Sequence, residues 1–309
     1  MNTTIIIVTF KGQIIHECLK NLQRKYKVII IENSNNKNFK KKIEKSFKNV
    51  KCYLSGSNLG FGRANNIGLK KVKTKFSLIL NPDVLISVKQ VKELENFAKK
   101  NKNFSIITPN CNGLLDILKN NSDKLENTEN RSIEYLKKKI VSLQPFEINF
   151  IPGYCMFVNM QDIKKIKYFD ENFFLYFEDF DLCKRLKKLG KKFYILSKVK
   201  IHHFYGGFYE NKEHYGKFKN IKKNHKNWQN YWAIRNWHLY WSSFYYHRKH
   251  YGFLKSFIVH FSKFLRFSLL KIFYFLINNK TLYNLFKARS EGLLYQILNK
   301  SAFFGPRVD

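Results

Sequence analysis

Two carboxylates in this chain stand where they could act on a ligand. Asp83 follows Phe76-Ser77-Leu78-Ile79-Leu80 and Asn81-Pro82. The apolar run reads as a buried strand, and proline, which cannot donate to a sheet ladder, ends it in a turn. In open α/β sheets the carboxyl ends of strands are where ligands bind. Asp83 there would hold a divalent cation and, through it, a diphosphate; a turn aspartate bonding its own backbone is the plainer alternative. The second group is Glu178-Asp179-Phe180-Asp181, behind the aromatic run Phe173-Phe174-Leu175-Tyr176-Phe177. Leu182, Cys183, Leu186 and Leu189 continue at helical spacing, and Gly190 ends that helix. Acids at a helix N-terminus cap it and complement its dipole. An aromatic wall beside them would also exclude water and seat a sugar ring, and a carboxylate held there could take a proton from a hydroxyl.

The elements that must position these groups alternate. Residues 4–9, 28–31, 50–54, 76–80, 104–108 and 193–201 read as strands, 150–158 as strand-like, with helical spacing between most of them. Ser87 is placed to cap the helix that carries Val88, Val91, Leu94 and Ala98. Such alternation makes a parallel sheet the economical fold, and a parallel sheet brings Thr9, Glu32 and Asp83 to one edge. Glu32 would accept hydrogen bonds from a base or ribose, or else be a solvated loop acid. The stretch Asn58-Leu59-Gly60-Phe61-Gly62-Arg63-Ala64-Asn65-Asn66 brings glycines, Arg63 and amides, Asn66 among them, to a helix N-terminus that favours an anion. It fits neither G-x-x-x-x-G-K-[ST] nor G-x-G-x-x-G. The last strand ends in His202-His203, where a histidine is either structural or close enough to Asp83 to complete a metal shell. Residues 110–147 read as a variable insertion with no assigned role.

A net charge of +35 over 309 residues admits nucleic acid, a membrane surface or plain lysine bias as explanations. Residues 1–205 hold 39 Lys and Arg against 18 Asp and Glu, spread evenly, which points to bias. Residues 214–290 hold no Asp or Glu and are rich in Phe, Trp and Tyr, a composition that favours a lipid surface over nucleic acid. Trp228, Trp232, Trp237 and Trp241 fall mostly along one side of a helix. Phe257, Phe261, Phe264, Leu265, Ser268, Leu269, Ile272 and Phe273 alternate with Lys255, Lys263, Arg266 and Lys271 as in an amphipathic basic helix at a membrane interface. A helical subdomain packing on the catalytic core is the alternative. Five scattered cysteines without a C-x-x-C pair predict neither a zinc site nor a disulfide framework, and a reducing cytoplasm. No signal-peptide pattern and no clear spanning helix is read.

Asn58…Gly60-Phe61-Gly62, Asn81-Pro82-Asp83, Phe169-Asp170-Glu171, Glu178-Asp179…Asp181-Leu182-Cys183…Arg185 and the strand ending in His202 resemble glycosyltransferase family 2, in order and spacing, over roughly residues 3–205. The resemblance is to the rhamnosyltransferase-like branch that builds bacterial surface polysaccharides, in which a pair like Arg235-Asn236 often follows the catalytic domain. It implies an α/β GT-A (Rossmann-like) nucleotide-sugar-binding domain at 1–205, a helical, amphipathic extension at 206–309, and inverting transfer from a dTDP- or UDP-sugar with Mg²⁺ or Mn²⁺. Asp83 matches the metal-binding Asp, Asp179 of the Glu178-Asp179 pair the catalytic base, and His202 a histidine near metal and diphosphate, with His203 adjacent. Glu32 and Asn58 match nucleotide-contacting positions. Two departures stand out: Asn-Pro-Asp supplies one carboxylate where Asp-x-Asp supplies two, and Glu32 replaces the more usual Asp. The expected partners are a nucleotide-sugar, a glycan or lipid-linked glycan and an anionic membrane surface on the cytoplasmic side, not nucleic acid. A basic nucleic-acid-binding protein and a nucleotidyltransferase on a related sheet are the rivals.

Overall fold

The computed structural model describes residues 2–10, 15–115, 118, 133–204 and 226–302. Contacts divide the chain into two units, Met1–Phe169 with Asp179–Glu210, and Asp170–Glu178 with Asn211–Asp309.

The first unit is built on one mixed sheet. Its strands are β1 (Thr3–Thr9), β2 (Lys27–Glu32), β3 (Val50–Leu54), β4 (Phe76–Leu80), β5 (Val84–Leu85), β6 (Phe104–Cys111), β7 (Pro145–Ile148), β8 (Cys155–Asn159) and β9 (Lys192–His203). They lie in the order β3-β2-β1-β4-β8-β6-β9-β5, with β7 beside β9. The half made of β3, β2, β1 and β4 is parallel, as expected. Ile5, Ile6, Ile7, Ile30 and Ile31 have no exposure at all, which is why these strands read as continuous apolar runs and not as alternation. Helices α1 (Ile15–Asn21), α2 (Lys37–Ser46) and α3 (Gly60–Leu69) make the crossovers. The packing of α3 on β1 is close: a Cβ at Gly68 would stand 2.7 Å from Ile6 Cγ2. Ser87 and Gln90 form a full capping box on α4 (Val88–Lys100).

The other half corrects the all-parallel expectation. β8 runs antiparallel to both β4 and β6. The stretch 150–158 is not one strand: β7 ends at Ile148, β8 starts at Cys155, and Pro152-Gly153-Tyr154 lies in the loop between them. Of the insertion read at 110–147, residues 116–117 and 119–132 lie outside the described residues, and α5 (Ile133–Val141) and β7 fall within the rest. Helices α6 (Met160–Lys165) and α7 (Glu178–Lys187) complete the elements before β9. All five cysteines are buried and none is in a disulfide among the described residues, and burial pushes the Cys18 and Cys52 thiols up to about 12.

In the second unit α8 (Lys226–Tyr251), α9 (Phe253–Leu276) and α10 (Lys280–Ile297) pack on one another. Gly252, at φ +89°, makes the one-residue joint between α8 and α9. Trp237 and Trp241 are core residues here, packed with Ala288 and Ala302, so they do not form a surface row with the exposed Trp232. The side chain of Trp228 lies outside the described residues. Gly292 of α10 meets the α8 backbone so closely that a Cβ would stand 2.4 Å from the Trp237 carbonyl oxygen. Asn236 accepts from Arg289 Nε at 2.8 Å and so ties α8 to α10. Helix α9 has two apolar faces: Phe257 and Phe264 pack toward Phe244, Phe267 and Leu293, while Leu254, Ile258, Leu265, Leu269, Ile272 and Leu276 are 46–74 % exposed. Among the described residues no helix is long and apolar enough to cross a membrane.

Candidate active site

The aligned ends of β1, β2 and β3 start the site, with Thr9 opposite Glu32 and Glu32 opposite Leu54. Glu32 is neither solvated nor presented to a ligand. It is fully buried, and its carboxylate accepts from Ser34 Oγ (2.6 Å) and from the backbone N–H groups of Ser34 (3.2 Å) and Asn36 (2.6 Å). Its extra methylene lets it fold over its own turn and fix the loop. Asn33, which sequence reasoning passed over, carries that order onward. Its Nδ2 donates to Asn58 Oδ1 (3.1 Å) and Gly60 O (3.2 Å), and its Oδ1 accepts from Leu59 N–H (3.0 Å). Asn58 Oδ1 also accepts from Gly60 N–H, with Gly60 at φ +76°, a conformation suited to glycine. Thus Asn33 and Asn58 lock the entrance of α3, whose N-cap residue Leu59 makes no side-chain cap bond, and Arg63 follows half-buried one turn in. Asn66 departs from the expected role. It is 2 % exposed, and its amide exchanges two hydrogen bonds with the Phe169 backbone (2.9 and 3.0 Å), so it fastens a loop and is not presented to a nucleotide.

Asp83 sits in the turn between β4 and β5. Asn81 N–H donates to Tyr154 O (2.8 Å), and Phe204 N–H donates to Asp83 O (3.0 Å). The carboxylate is buried, with Oδ2 3.3 Å from Nε2 of His203. This corrects the choice of His202. β5 pairs with β9 so that Val84 faces His203 and Leu85 faces His202. Alternation then puts Lys198, Lys200 and His202 on the exposed side and Val199, Ile201 and His203 on the buried one. His202 packs edge-on against Phe204. His203 is framed by Asn112, whose amide bonds both its N–H (2.7 Å) and its C=O (3.0 Å), and by the Tyr154 ring, stacked at 5.0 Å.

Asp179 is half-buried at the start of α7. Its Oδ2 accepts from Gly153 N–H at 3.1 Å and its Oδ1 from Phe180 N–H at 2.9 Å. A Cβ at Gly153 would stand 3.3 Å from the Phe61 ring and 3.7 Å from Asp179 Oδ2, so glycine allows this approach. The Gly153-Tyr154 dipeptide therefore serves both acids: one amide holds Asp179, and the next carbonyl and ring hold the Asp83 turn and His203. Glu178 is 6 % exposed and less accessible than Asp179. Asp181 is structural. It is fully buried and bonds Arg185 Nε at 2.7 Å, while the Arg185 guanidinium also donates to the carbonyls of Ile166 and Tyr168.

Among the described residues no three His, Cys, Asp or Glu side chains gather as a complete metal site. The donor pair present is Asp83 Oδ2 and His203 Nε2. Its 3.3 Å separation is near the roughly 3 Å between adjacent ligands of an octahedral ion with bonds of about 2.1 Å. A carboxylate and an imidazole suit such an ion when phosphate oxygens and water complete the shell.

The mixed sheet, its extra helices and this edge constellation define a GT-A glycosyltransferase fold. Mannosyltransferase PcManGT from Pyrobaculum calidifontis, solved with GDP-Man and Mn²⁺, superposes with a TM-score of 0.54 at 9 % identity, over 96 % of this chain and 87 % of that one. S. aureus TarS 1–349 with UDP-GlcNAc gives 0.51 at 12 % identity, over 97 % and 93 %. The family model for glycosyl transferase family 2 matches residues 4–167, and the chain belongs to that family. It is similar to the low-salt glycan biosynthesis hexosyltransferase Agl10 of Haloferax volcanii, 29 % identical over 196 residues. That match covers 60 % of this chain and 61 % of the relative's length. Rhamnosyltransferase WbbL of Escherichia coli K12 is 26 % identical over 226 residues, 65 % of this chain and 82 % of that protein.

Proposed function

We propose that this chain is an inverting hexosyltransferase that moves rhamnose or another hexose from a dTDP- or UDP-sugar to a glycan, carried on a lipid, in surface polysaccharide synthesis. The observation that carries this reading is the Gly153-Tyr154 bridge, which holds Asp179 with one amide and the Asp83 turn with the next carbonyl. Two acids kept within one dipeptide of each other suit a sugar seated between a leaving group and an incoming hydroxyl. The GDP-Man and Mn²⁺ in the mannosyltransferase structure and the UDP-GlcNAc in that of TarS support a nucleotide-sugar donor and a divalent ion. The relatives' names support a hexose and glycan assembly.

Asp83 and His203 would hold the ion, which when bound neutralises charge on the departing diphosphate. Thr9, Asn58 and Arg63 meet the nucleotide, with Glu32 and Asn33 shaping the loop from behind. Asp179 takes the proton from the acceptor hydroxyl as its oxygen bonds the anomeric carbon and the bond to diphosphate breaks, so one displacement inverts that carbon. Gly153 N–H keeps Oδ2 oriented for this. The exposed face of α9, in a stretch without a single Asp or Glu, seats the protein on an anionic cytoplasmic membrane leaflet.

The test is Asp179→Asn. Sugar transfer should fall by about 10²–10⁴-fold with donor affinity unchanged. Wild-type turnover by this variant would remove the base assignment.

A further inference from the structure

We infer that helix α8 is a positioning element for the base. The inference rests on Asp179 being that base, and starts from the residues before it. Asp170–Glu178 group with the C-terminal helices and not with the sheet. One face of α8 holds this strap almost residue by residue. Lys249 Nζ and Tyr245 Oη bond Asp170 Oδ2 at 2.7 and 3.0 Å. The Tyr245 ring meets Phe173 edge-on at 4.9 Å, and His238 stacks on Phe174 at 4.5 Å. Ser242 Oγ donates to Leu175 O at 2.8 Å. Arg235 donates from Nε to Tyr176 Oη, with its guanidinium carbon 5.6 Å from that ring's centroid. Tyr246 closes on Phe177 at 5.5 Å.

At 3.6 residues per turn, positions 235, 238, 242, 245, 246 and 249 fall within roughly a third of the helix circumference. One stripe of six residues therefore makes all of these attachments. The strap runs against the helix direction, from Lys249 at Asp170 to Arg235 at Tyr176. It then reverses through Tyr176 and Phe177, both left-handed at φ +68° and +65°. Two consecutive non-glycine residues in that region are strained, and such strain persists where surroundings over-determine it. The next two residues are Glu178 and Asp179. Arg235 and Tyr246 thus hold the strained corner from which the base projects.

The test separates positioning from folding and from the base assignment. Arg235→Gln, and Tyr176→Phe as the milder change, should lower kcat for transfer by roughly 10- to 100-fold and leave donor KM within two-fold. Arg235→Lys should recover part of the loss. The double variant Asp179→Asn with Arg235→Gln should be no slower than Asp179→Asn alone, because a misplaced base costs nothing once the base is gone. Multiplying losses in the double variant, or normal kcat in a folded Arg235→Gln or Tyr176→Phe enzyme, would overturn the inference and leave Asp179 as base. Wild-type turnover by Asp179→Asn would overturn both. If Arg235→Gln does not fold, Tyr176→Phe and Tyr245→Phe, each lacking one oxygen, decide the matter by the same readouts.

Discussion

His202 and His203 differ by one residue and by everything that strand alternation decides. His203 shares the buried side of β9 with Val199 and Ile201 and reaches Asp83; His202 shares the exposed side with two lysines. His203→Ala should weaken metal-dependent donor binding by about 10-fold or more, the scale of losing one of few ligands. His202→Ala should leave it within two-fold, and titration of the nucleotide-sugar with and without Mn²⁺ measures both. Equal losses would refute the assignment. The signal was present in the sequence, since Lys198-Val199-Lys200-Ile201-His202-His203 alternates and places His203 with the apolar set. The positions of Asp83 just past a strand and of Asp179 at a helix start were legible because strand and helix ends are local features. Asn33 and Tyr154 were not, because their roles come from contacts between segments 25 or more residues apart, or from a backbone carbonyl that any residue supplies.

At the scale of elements, β3 and β4 stood out to the residue: β4 is a buried, largely apolar run closed by a turn, and β3 sets Val50 and Cys52 inward on either side of the exposed Lys51. The direction of β8 did not, since apolar composition is the same whichever way a buried strand runs. The tail's amphipathic pattern was likewise half legible. Phe257 and Phe264 carry the helical period but pack inward, so periodicity alone did not separate the inner face of α9 from the outer one. Gly292 offers a test of how closely α10 seats on α8. At an open helical site Gly→Ala gains about 1 kcal/mol. Here the added methyl would meet the Trp237 carbonyl oxygen at 2.4 Å, backbone that cannot swing aside. Gly292→Ala should therefore destabilise the chain by about 1–3 kcal/mol, seen as a lower thermal midpoint; a raised midpoint would mean the two helices pack more loosely.

For the molecule as a whole, the exposed face of α9 makes a prediction that charge alone does not. Leu265, Leu269 and Ile272 changed to serine should reduce flotation with anionic vesicles several-fold while net charge stays the same. Neutral vesicles should bind less well at low salt, because the lysines and Arg266 of this helix lose their counterpart, and the difference should shrink as salt screens the charges. Undiminished flotation of the triple variant would leave the face without a lipid role. High overall basicity pointed to three partner classes at once; the 77-residue gap in acidic residues, not the total, is what singles out the stretch that carries this exposed apolar face.

The grouping of Asp170–Glu178 with the C-terminal helices has a consequence for how such chains can be recombined. A gene spliced at residue 205 would look like a clean exchange of one tail for another. It would in fact pair a strap with a helix never selected to grip it, and hybrids that kept nucleotide-sugar affinity would still turn over slowly. Viable exchanges between relatives should carry the nine residues and the helix together, as one inherited piece written in two places along the chain.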